Sequence, residues 1–89
     1  RLGGALRARG VNRQDTVAVV LPDAADLAVA VLGVSAVAVC APLDPAWQLE
    51  EYVRALDRLA PRVLLVAEGS GTPAIDAAAA RGLEVLVLH

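Results

Sequence analysis

Thr16 to Pro45 reads TVAVVLPDAADLAVAVLGVSAVAVCAPLDP, two kinds of apolar run separated by prolines. Thr16 to Leu21 is continuous and β-branched, the pattern of a strand covered on both faces in a parallel sheet. Pro22 ends it. Asp23 then suits a helix N-cap, with Asp26 three residues on where a capping-box acid sits. A helix is predicted from about Ala24 to Ser35. Leu27, Val31 and Val34, with Ala28 and Ala30 between, make it apolar nearly all round, which predicts heavy burial. Gly33 suits close helix packing. Val37 to Ala41 is predicted as the second strand, and Pro42 to Pro45 as a rigid turn, since each Pro fixes its own φ and restricts the residue before it.

The flanking segments extend this strand–helix–strand unit. Arg1 to Arg9 reads as a helix end, with Leu2, Ala5, Leu6 and Arg9 on one side and Gly10 as the stop. A helix from about Gln48 to Leu59 presents Leu49, Tyr52, Val53, Leu56 and Leu59 inward, and Pro61 ends it. Arg62 to Ala67 is a third strand, Ala74 to Arg81 a helix stopped by Gly82, and Glu84 to Leu88 a fourth strand. Alternation at this spacing predicts one α/β domain over residues 1–89: three layers, a four-stranded, mostly parallel sheet flanked by helices. The strand order 2-1-3-4 is a guess that the spacing does not fix.

Composition narrows the function classes. Trp47 and Tyr52 are the only aromatics, too few to stack single-stranded bases, and a net charge of −2 gives duplex DNA or an anionic membrane no electrostatic reason to bind. All eight cationic side chains other than His89 are Arg, so no Lys can form a Schiff base or contact a phosphate. Leu27 to Leu43 holds 17 uncharged residues but changes from helical to β-branched character near Ala36 and reaches Pro42, which argues against a membrane span. Cys40 lies in an apolar run and reads as a buried structural thiol, in keeping with a reducing cytoplasm. The chain opens on Arg, as expected of a piece of a longer polypeptide, and no signal peptide is recognisable.

Ligands of such sheets bind beyond the carboxyl ends of the strands. Asp23 and Asp26 could form an acid–base or metal pair there, but helix capping accounts for both. Asp44 reads as a turn-stabilising residue rather than a catalyst. Glu68 to Pro73 is a Gly-rich loop that could cradle a phosphate, yet it has neither a full GxGxxG spacing nor a P-loop Lys, and Thr72 as N-cap with Pro73 at the first helical position explains it without a ligand. His89 is a lone terminal imidazole. The sequence nominates no catalytic, cofactor-binding or metal-binding residue.

Gly10-Val11, Asp15 to Ala18, Leu21-Pro22-Asp23, Pro42 to Pro45 and Pro61 to Leu65 occur in an order and spacing that resembles the N-terminal part of the adenylate-forming enzymes: acyl-CoA synthetases, nonribosomal peptide synthetase adenylation domains and luciferases. The resemblance covers nearly the whole chain, and the CAPLDPAW wording is nearer to the acyl-CoA synthetases. Ala36-Val37 stands where the family often has Ala-Gly. The resemblance implies a ligase that activates a carboxylic acid with ATP and Mg²⁺, forming an acyl-adenylate and pyrophosphate before a thiol of CoA or a carrier-protein pantetheine takes the acyl group. It places the Ser/Thr/Gly-rich loop, the acidic ribose contact and the lid Lys downstream of the matched segment, with fatty acid metabolism as one setting. The chain is then expected to be a scaffold fragment, inactive alone, whose partner is the remainder of the enzyme. A stand-alone α/β binding or interaction module is the alternative. A nucleotide-binding Rossmann-like domain using Glu68 to Pro73 ranks third.

Overall fold

In the computed structural model, which describes residues 2–89, eight elements alternate in the order helix, strand, helix, strand: α1 (Leu2–Ala8), β1 (Thr16–Val20), α2 (Ala24–Ser35), β2 (Val39–Pro42), α3 (Leu49–Leu59), β3 (Val63–Ala67), α4 (Ala74–Ala79) and β4 (Glu84–Leu88). The strands form one sheet, parallel at every pair as the alternation predicts, in the guessed order β2-β1-β3-β4. Arg1, the first residue of the predicted opening helix, lies outside the described residues.

Two apolar layers hold the sheet. Leu6 of α1 and Ala30 and Val34 of α2 pack with Val17, Val19, Val63 and Leu65 on one face. Tyr52 and Leu56 of α3 and Ala74, Ala77 and Ala78 of α4 pack with Ala18, Val20, Leu64 and Val66 on the other. The central strands β1 and β3 are therefore buried on both sides, which is why they read as unbroken aliphatic runs. Small residues allow close approach: a Cβ on Gly33 would lie 3.2 Å from Leu2 Cδ2.

Helix ends follow their local chemistry. Gly10, at φ +82°, closes α1 through Gly10 N–H to Arg7 C=O and Val11 N–H to Leu6 C=O, a Schellman pair that a Cβ would strain. Asp23 Oδ1 accepts from Asp26 N–H at 2.9 Å, the predicted cap. At α3, Glu51 Oε1 accepts from Gln48 N–H at 2.8 Å, part of a capping box that the sequence reading had not assigned.

The structure corrects four expectations. Val37 and Ala38 belong to the turn closing α2, both donating to Val34 C=O, so β2 begins at Val39 and takes in Pro42. Pro42 fits because Val39 and Leu43 donate to Asp15 and Val19 of β1; the even residues face the open edge, where a missing N–H leaves the ladder intact. α2 buries only Ala30 and Val34 fully, and leaves Val29 67% and Leu32 75% exposed, because among the described residues the sheet and α1 cover only part of its circumference. Leu49, placed in the inner stripe of α3, is 44% exposed at the first turn, while Ala55 is buried. Finally, Pro73 rather than Thr72 holds the N-cap position of α4: Ala77 N–H bonds to Pro73 C=O, and no side chain caps the helix.

Candidate functional site

The carboxyl ends of the strands bring Asp23, Asp44, Glu68 and His89 to one end of the sheet, and the structure gives each a local partner. Asp23 is committed to the α2 N-terminus. Asp44 Oδ1 accepts from Ala46 N–H at 2.8 Å, an Asx turn that sets the path between the two prolines. Glu68 Oε1 lies 3.0 Å from His89 Nδ1, with both side chains largely in solvent. Asp26 is exposed in the first turn of α2, and its backbone N–H is the donor to Asp23.

Beneath this end lies a small polar cluster that the sequence did not single out. Tyr52 is fully buried, and its hydroxyl donates to Asp44 C=O at 2.6 Å. Trp47 stacks edge-on against it, ring centroids 5.6 Å apart. Burial pushes the phenol pKa up; the Thr72 hydroxyl offsets this in part, and the Asp44 and Glu51 carboxylates add to it. Thr72 Oγ1, near the phenol, and Ser70 Oγ are both buried without a hydrogen-bond partner among the described residues. The one sequence signal for this cluster was Tyr52 on the inner stripe of α3, since a buried phenol needs an acceptor.

The guanidinium groups of the described residues sit elsewhere. Arg62 donates to Gly10 C=O at 3.1 Å and Arg9 C=O at 3.2 Å and pairs with Asp15 at 3.3 Å, all at the amino ends of the strands. Arg9 pairs with Glu84 at 2.6 Å, where β4 begins. Arg81 grips Asp57 through two bonds of 2.6 and 3.1 Å, locking the end of α4 to α3. This hydrogen bond lowers the Asp57 pKa and raises that of Arg81. Arg7, Arg13 and Arg58 occupy the same end by their places in the chain, and Arg54 lies mid-helix in α3. Among the described residues the carboxyl-end surface thus carries carboxylates and a single imidazole, and no cluster of His, Cys, Asp and Glu could hold a metal ion. A triphosphate would meet repulsion there. These residues do not fit ATP and Mg²⁺, and no step of such a reaction can be assigned to them.

Cys40 is half-buried on the edge strand β2 rather than buried as its apolar run predicts, and the burial it has pushes its thiol pKa up. Among the described residues no helix is long and apolar enough to cross a membrane.

The family model described as "AMP-binding enzyme" matches residues 1–89. The chain belongs to this family. Solved structures of similar fold include a benzoate CoA ligase from Burkholderia xenovorans LB400, with TM-score 0.86 and 23% identity over 98% of this chain and 18% of that one. ATP-bound MatB from Rhodopseudomonas palustris gives TM-score 0.81 at 28% identity over 98% of this chain and 18% of its own. The anthranilate CoA ligase AuaEII, in complex with anthranoyl-AMP, gives TM-score 0.81 at 26% identity over 98% and 17%. No curated protein sequence matches. The chain thus spans less than a quarter of the length of each of these structures, and its fold is similar over 98% of its own length.

Proposed function

We propose that this chain is scaffold within an ATP-dependent, AMP-forming carboxylate-activating enzyme of the acyl-CoA synthetase type. In that reaction a carboxylate oxygen attacks the α-phosphorus of ATP, pyrophosphate leaves, and a thiol of CoA or of a carrier-protein pantetheine displaces AMP from the acyl-adenylate. The observation that carries the reading is the family match over the whole chain; among its structural neighbours is one with ATP bound and one with anthranoyl-AMP. The contribution of these 89 residues is mechanical. Their sheet offers a rigid, doubly covered layer, and the cationic groups and Mg²⁺ ligands that must offset phosphate charge come from outside it.

Calorimetric titration of ATP·Mg²⁺ tests this. The 89-residue chain is expected to give no heat of binding at micromolar nucleotide, whereas the full encoded polypeptide binds ATP and releases pyrophosphate when given its acid. Micromolar binding by the short chain would overturn the scaffold assignment and bring forward the Glu68–Pro73 loop as a nucleotide site. A full polypeptide that neither binds ATP nor releases pyrophosphate would favour the non-catalytic binding module.

A further inference from the structure

α1 is weakly secured by its own sequence. It carries Gly3 and Gly4, each poorer than Ala in a helix interior, and Leu6 is its one fully buried side chain. A seven-residue helix of that make-up does not persist by itself, so it depends on what holds it to the sheet. The carbonyls at its end lack helical partners. One guanidinium answers them: Arg62 Nη1 donates to Gly10 C=O at 3.1 Å and Nη2 to Arg9 C=O at 3.2 Å, across 52 and 53 residues of chain. Nη1 also meets Asp15 Oδ2 at 3.3 Å, and that oxygen accepts from Asn12 N–H at 2.9 Å. The fit is close, since a Cβ on Gly10 would lie 3.0 Å from Nη2. Arg62 is itself tied to the sheet, its N–H donating to Thr16 C=O at 2.7 Å where β1 begins.

We infer that Arg62 is the latch of a separately opening unit, α1 with residues 9–15, which lifts from the sheet while the strands stay paired. Latched, the unit seats Leu6 against Val17, Val19, Val63 and Leu65; released, it bares that apolar face. Few buried side chains and a connection held mainly by one residue place this unit at the low-stability end of the fold. Arg9 also pairs with Glu84, but as a single, half-exposed ion pair, which contributes little. Arg62 differs because its two Nη atoms fork onto two backbone carbonyls, a geometry that a Lys ammonium does not reproduce, and because a cation suits the negative end of the helix dipole. The latch also orders assembly. Arg62 stands at the entry to β3, so the unit is secured only after β3 has joined β1.

Native-state hydrogen exchange on the full encoded polypeptide, resolved to single amides, tests this. The reporters are the amides of Arg9, Gly10 and Val11, which bond the Leu6 and Arg7 carbonyls, and the amide of Leu43, which bonds Val19 C=O within the sheet. Without any substitution, the first three should exchange at least about tenfold faster than Leu43 and with a weaker dependence on urea. One common rate with one urea dependence would overturn the inference, because α1 would then open only with the whole fold. Arg62→Met keeps the stem and removes the donors, and it should speed exchange at Arg9, Gly10 and Val11 at least about tenfold while changing Leu43 less than about twofold. Arg62→Lys should open the three amides nearly as far. Unchanged exchange there in Arg62→Met, or equal acceleration at Leu43, would overturn the latch. Full protection in Arg62→Lys would overturn it too, since charge alone would then hold the unit.

Discussion

The Tyr52 hydroxyl joins segments that are distant in sequence: it hangs from α3, bonds the Pro42–Pro45 turn at Asp44 C=O, and lies beside Thr72 of the β3–α4 loop. Tyr52→Phe keeps the ring and removes the 2.6 Å bond, so it should cost about 1 kcal/mol in denaturant unfolding, with the Trp47 environment changing in fluorescence. Asp23→Ala removes the α2 cap and should likewise cost about 1 kcal/mol. The Asp57–Arg81 pair makes stability depend on pH in a defined direction. The hydrogen bond from Arg81 holds the Asp57 carboxyl below its ordinary value of 3.8, so its contribution is complete above that value and is lost as pH falls through the lower folded-state pKa. Asp57→Asn should flatten the acid limb of the stability curve below pH 3.8, and added salt should shrink the difference, since the carboxylate is exposed. Asp23 was readable in the sequence because a cap acts within one turn. Asp57–Arg81 was not, because its partners are 24 residues apart and meet only when α3 and α4 share a sheet face.

At the level of elements, β1 and β3 carry the core and α2 carries surface. Leu65 is fully buried in the middle of the sheet, so Leu65→Ala should cost about 2–5 kcal/mol in chemical unfolding. Leu32, 75% exposed on α2, is the contrast: Leu32→Ser should change the stability of the 89-residue chain by no more than about 0.5 kcal/mol. A much larger cost in the full polypeptide would mean that a neighbouring segment covers α2 there. The four strands and four helices were legible because apolar period and Pro/Gly punctuation are local signals, whereas the order β2-β1-β3-β4 matches a guess that no local signal fixed. The exposure of Val29 and Leu32 was not legible. An all-round apolar helix records that something covers every side, and only the structure shows which side these 89 residues cover. The start of β2 was misplaced for a related reason: Val37 is as β-branched as Val39, but its N–H is taken by Val34 C=O.

Across the whole molecule, charge is sorted by end. The strand amino ends collect Arg9, Arg62 and Arg81 with their carboxylate partners, and the carboxyl ends keep Asp23, Asp44 and Glu68. The resemblance read from Pro42 to Pro45 and its companion motifs agrees with the family whose model matches residues 1–89, and in the fold these residues occupy turn, strand and core positions. The Tyr52–Asp44–Thr72 cluster was not legible, because its members are separated in sequence and meet only once α3 and the β3–α4 loop share a sheet face. The parallel sheet also has a consequence in time. β1 is central, yet β3, its partner along one edge, begins 43 residues after Val20, at Val63. At synthesis rates of about 5–20 residues per second, the nascent chain spends roughly 2–9 s with the TVAVV segment paired on one side at most. That segment has the aliphatic, uncharged make-up that seeds intermolecular sheets, so translation pauses before Val63 should raise the yield of aggregated product and make the newborn chain depend on a holding chaperone.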